Sequence, residues 1–119
     1  MAKHRQGRLG EEIKKSISGF LINGAKDPAL TSRIISITGV DVTRDGSYAT
    51  VHVSPVCLSD EDKEQVYTAV MEGLERAKGA IRGQVSRDVA IRHTPELIFK
   101  LDTSGDYGRH IDSILDSLK

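Results

Sequence analysis

Between Arg33 and Pro55 the chain reads RIISITGVDVTRDGSYATVHVSP, and this stretch constrains the fold more than any other. Its apolar residues alternate with the period of a strand whose one face is buried. Ile35 and Ile37 share a face, and Val40 and Val42 repeat the alternation with shifted parity. A bulge at Thr38-Gly39 puts all four on the core side. Asp45-Gly46 is a hairpin turn signal, and Ala49, Val51 and Val53 alternate on the return strand before Pro55. An antiparallel strand pair follows.

Helical spacing flanks this hairpin. Leu9, Ile13, Ile17 and Phe20/Leu21 recur at intervals of three and four, one face of an amphipathic first helix. Asn23-Gly24 is its expected C-terminal cap, and Asp27-Pro28 limits continuation. A second helix is expected to start at Ser59, followed by Asp60, Glu61 and Asp62, acids that suit a helix N-terminus. Val66, Val70, Leu74 and Ala77 form its stripe, which resumes beyond Gly79 as Ile81 and Val85. Val89, Ile91, Leu97, Phe99 and Leu101 share odd parity and predict a third strand, in one or two pieces around His93-Thr94-Pro95. Ile111, Ile114/Leu115 and Leu118 mark a weaker helix that packs back on the domain. The 119 residues fit one domain.

The central puzzle is Glu75–Gly83, ERAKGAIRG. Glu, Arg, Ala and Lys favour helix, while Gly79 costs about 1 kcal/mol there relative to alanine. The expected answer is a sharp joint between two helices, at which alanine would destabilise or change the angle. Strand, strand, helix, joint, helix, strand after a first helix is the order of the bacterial-type KH domain. KH domains usually hold nucleic acid with a Gly-X-X-Gly loop at that joint. The Gly-X-X-Gly at Gly105–Gly108 follows the last strand, is acidic, and reads as a turn.

Formal net charge is zero, but the charges are segregated. Residues 1–33 carry seven Lys/Arg against three Asp/Glu, and residues 34–75 carry two against eight. Residues 76–100 carry six against two, and the remainder two against four. Two basic segments brought together would attract a polyanion such as RNA. With two Phe, three Tyr and no Trp, base stacking is a poor route, and backbone and shape recognition fits better.

Catalysis finds no support. His4, His52, His93 and His110 are scattered, Cys57 stands alone and reads as a small apolar residue, and no phosphate-cradling Gly-rich loop is present. DEDKE (Asp60–Glu64) is explained by the helix start. No apolar run approaches the roughly 20 residues of a membrane span, and MAKHRQGRLG lacks a secretory core, so a cytoplasmic protein is expected.

The basic first helix, KDPAL (Lys26–Leu30), SITGVDVTRDGSYATVHVS (Ser36–Ser54), the Ala-X-Gly joint (Ala77–Gly79) and TPELIFKLD (Thr94–Asp102) occur in an order and spacing that resemble one family over nearly the whole chain. It is the ribosome-binding factor A family of bacterial small-subunit assembly factors. The resemblance implies an α+β, KH-like fold with the Ala-X-Gly joint replacing the usual loop. It implies a non-catalytic factor without metal or cofactor that binds the immature 30S subunit and its 16S rRNA. It also implies a part in 5′-end maturation and growth in the cold, with release aided by an assembly GTPase.

A single KH-like domain over 1–119 is expected, with residues 1–7 a flexible basic tail and 103–119 a C-terminal helical extension. The expected RNA contacts are Lys3, Arg5, Arg8, Lys14, Lys15, Arg76, Lys78, Arg82 and Arg87, with Ala77 and Gly79 forming the joint. A monomer with no membrane contact is expected. The alternative is a KH-like protein-interaction module, working through its sheet edge or acidic surface, without direct RNA contact.

Overall fold

The computed structural model describes residues 2–102, with side chains from Gly7 onward. Helix α1 (Ala2–Gly19) runs into one π turn (Phe20–Gly24), and a single-turn helix α2 covers Pro28–Thr31. Strands β1 (Ile35–Val42) and β2 (Tyr48–Pro55) are followed by helix α3 (Lys63–Asp88) and strand β3 (Glu96–Leu101). Residues 2–7, expected as a tail, continue α1. The expected helix over 103–119 lies outside the described residues.

The hairpin forms as its parity requires. β1 and β2 pair antiparallel, and the register slips between Ile37 and Gly39, at the expected bulge. Ile37 is buried, and Ile35, Val40 and Val42 pack against the same core. Gly46 adopts φ of +77°, the left-handed turn conformation that glycine allows. The Asp45 carboxylate accepts from the Ser47 N–H and the Thr43 hydroxyl, which fixes the loop. β3 joins parallel to β2, giving the order β1-β2-β3.

One sheet face is covered and one is open. Ile13 and Ile17 of α1 and Val70, Leu74, Ile81 and Val85 of α3 are fully buried with Ala49, Val51, Val53 and Leu97 of the sheet. Truncating one of these to alanine costs about 2–5 kcal/mol in comparable cores. The open face alternates with them and carries mostly polar residues, among them Thr38, Asp41, Thr50, His52 and Lys100. At Gly10 an added Cβ would collide with the Val40 carbonyl oxygen, so α1 crosses β1 backbone against backbone.

Four local expectations change. Ala25 N–H bonds to the Phe20 carbonyl at 2.8 Å and closes the π turn, so Gly24 is not a left-handed cap. α3 is capped by Asp62, whose carboxylate accepts from the N–H groups of Glu64 and Gln65, and not by Ser59. Glu61 lies before that cap, and its carboxylate accepts from Arg33 (2.7 and 2.9 Å) and from the Leu58 N–H. Val89 ends α3, its N–H bonded to the Val85 carbonyl, and only Glu96–Leu101 forms the third strand.

The largest correction concerns Ala77–Gly79. α3 is one α-helix of 26 residues, and the expected joint is absent. Val66, Val70, Leu74, Ala77, Ile81 and Val85 follow at steps of three and four, so one continuous helix keeps all of them on the sheet. Ala77 packs against the core within that stripe. Gly79 is exposed, and an added Cβ would meet nothing within 4 Å. Neither dihedral freedom nor close packing requires glycine there.

Candidate nucleic-acid interface

Gly79, Gly83 and Ser86 succeed one another at steps of four and three, which places them on one side of α3. With Arg82 and the connecting residues Arg92, His93 and Thr94 they line an open cleft of about 390 Å³. Small residues keep the helix wall low, while the rim is cationic. Arg82 holds the cleft together: its Nε donates to the Pro95 carbonyl at 3.2 Å and its Nη2 to the Thr94 carbonyl at 2.7 Å. Arg92 and His93 are exposed and make no hydrogen bond or ion pair among the described residues. Guanidinium groups lining such a cleft suit phosphate oxygens.

A second cleft, about 410 Å³, opens on the α1 side of the same stretch of α3 and is lined by Lys15, Ser16, Gln84 and Asp88, among others. Asp88 is an acid at a helix C-terminus, where the dipole disfavours it. Gln84 Nε2 donates to it at 2.9 Å and Ser16 Oγ at 2.7 Å, and these bonds hold its carboxyl below the usual range. Arg87 in turn donates to Gln84 Oε1 at 3.0 Å. The acid is thus satisfied internally, and Lys15 and Arg87 add positive charge beside it.

The structure therefore gathers Lys15, Arg82 and Arg87 from the expected set at one end of α3, with Arg92 and His93 added. Arg76 is used elsewhere: its Nε donates to Asp27 at 2.8 Å, and Arg76 is the main cause of that carboxyl's lowered pKa. Lys78 lies 3.1 Å from Glu75 and 5.8 Å from the Phe99 ring centre, so it turns back toward β3. Arg8 and Lys14 lie on α1 and line neither cleft. Lys3 and Arg5 belong to the first turns of α1, and their side chains are outside those described. Arg92 and His93 lay outside the expected set, where this stretch was read as a strand in one or two pieces around His93-Thr94-Pro95. The four-residue step between Gly79 and Gly83 was the available signal.

Among the described residues no cluster of metal-ligating side chains occurs, and no helix is long and apolar enough to cross a membrane.

The sequence model of the family described as Ribosome-binding factor A matches residues 5–115. Relatives of that name include those of Clostridium beijerinckii, 43% identical over 99% of this chain and 96% of theirs, and Clostridium acetobutylicum, 45% identical over 100% and 93%. Among solved structures, the Thermus thermophilus ribosome-binding factor A superposes with TM-score 0.63 at 22% identity, covering 81% of this chain and 94% of that one. A Thermotoga maritima protein regarded as a ribosome binding factor A also gives 0.63, at 29% identity over 82% and 86%. A further Thermus thermophilus coordinate set, fitted into a map of a 30S complex, gives 0.59 at 20% identity over 79% and 91%. The fold is KH-like, and the chain belongs to the ribosome-binding factor A family.

Proposed function

We propose that this protein binds the immature 30S subunit through rRNA phosphates and assists its late maturation, including 5′-end processing of 16S rRNA. The observation that carries the reading is the cationic cleft beside Gly79 and Gly83, with Arg92 and His93 on its rim. The Thermus thermophilus relative fitted into a 30S complex map supports the choice of subunit. The protein acts by holding an rRNA arrangement, without catalysis, metal or cofactor, as a cytoplasmic monomer. Release by an assembly GTPase and a role in growth in the cold belong to the same proposal. Sedimentation of cell extract tests it: the protein should travel with free small subunits and be scarce on assembled ribosomes. Recovery only at the top of the gradient at every salt concentration would contradict it.

A further inference from the structure

One surface remains without a role in that reading. Ile34 is 70% exposed, Leu58 66%, Val56 47% and Ile22 80%. They are neighbours: the Val56 N–H bonds to the Ile34 carbonyl at 2.9 Å, and Ile22 and Ile34 line one groove of about 500 Å³ with Leu21, Leu30 and Ile35. Grouped exposed aliphatics of this size mark docking surfaces in soluble proteins. The backbone beneath is fixed, since Arg33 donates to the Val56 carbonyl at 3.0 Å and holds Glu61 with both nitrogens.

The charges around this patch decide what it takes. Asp60, Asp62 and Glu64 are exposed beside Leu58, and Arg33 is neutralised by Glu61. Lys63 is the one further cation in that stretch, so the rim is acidic on the Leu58 side. Such a rim repels RNA phosphates and attracts cationic groups. From Lys63 to Gly83 the helix runs about 30 Å, so Val56 and Leu58 lie well away from the cleft.

We infer that Ile22, Ile34, Val56 and Leu58, with their acidic rim, bind an apolar, lysine- or arginine-rich protein segment. Within the subunit, an assignment that rests on the proposed function, this makes the protein a bridge between rRNA at one end of α3 and a basic protein at the other.

The test is a photo-reactive benzophenone amino acid in place of Leu58 in the full chain, irradiated in living cells. The adduct is expected to be destroyed by protease, to resist nuclease, and to contain a strongly basic polypeptide. Asp60→Lys with Glu64→Lys should reduce it about tenfold, which corresponds to about 1.4 kcal/mol. An adduct with RNA, no adduct, or one insensitive to that charge reversal overturns the inference. Sedimentation of the adduct separates the two readings. A charge-sensitive adduct with a basic protein found away from small subunits supports the patch and contradicts the subunit assignment. Leu58, Asp60 and Glu64 are all exposed, so an unchanged melting curve verifies folding.

Discussion

Gly10 and Gly79 both sit inside helices, yet their surroundings demand opposite things. At Gly10 the Val40 carbonyl occupies the space a methyl group would need, so Gly10→Ala must push α1 off β1. The expected cost is about 1–3 kcal/mol, as for other overpacked sites, read from urea denaturation. Glu61 supplies a second residue-scale prediction. Arg33 first, and the Leu58 N–H second, lower its pKa from 4.5 to about 2. A carboxyl depressed on folding contributes stability that is present above its unfolded pKa and lost as pH falls through the folded one. Glu61→Gln should therefore flatten the loss of stability between about pH 4.5 and 2. A wild-type and mutant pair with parallel pH curves would mean the Arg33 pair contributes nothing.

At the scale of elements, the instructive case is α3. The hairpin was legible in the sequence down to its bulge, because period-two alternation must be restored wherever one face is buried. The core stripe of α3 was equally legible. Its continuity was not, because the cost of Gly79 was attributed to a backbone joint when the phase of Ala77, Ile81 and Val85 already required none. Of the cleft lining, the expected RNA contacts contained Arg82 alone; Arg76 is drawn off by Asp27 and Lys78 turns toward Phe99, contacts that no spacing reveals, while the Glu75–Lys78 pair at three residues was open to view. Since an added methyl at Gly79 meets nothing, Gly79→Ala should stabilise the fold by about 0.4–1 kcal/mol. The same methyl projects into the cleft, so subunit binding should fall. A mutant that is less stable would restore the joint; one that is more stable and binds normally would remove Gly79 from the site.

Charge is separated along α3, with acids from Asp60 to Glu75 before and within its first half and, the internally bonded Asp88 aside, cations from Arg82 to Arg92 in and just beyond its second half. A chain of zero net charge can bind a polyanion only if such separation survives folding, and here it does. Arg92 offers the most direct test, because it lies on the cleft rim, bonds to no described residue and can be changed without disturbing the Arg82 clamp. The measurement is the affinity of the purified protein for small subunits across a range of salt concentrations. Arg92→Glu should weaken binding and reduce the slope of log affinity against log salt by about 0.7–0.9 for each phosphate no longer neutralised, with melting temperature unchanged. Arg44→Glu, in the hairpin loop, should leave both quantities as they were. If Arg92→Glu binds with wild-type affinity and slope, or if Arg44→Glu is equally damaging, the cleft beside Gly79 is not where this protein holds RNA.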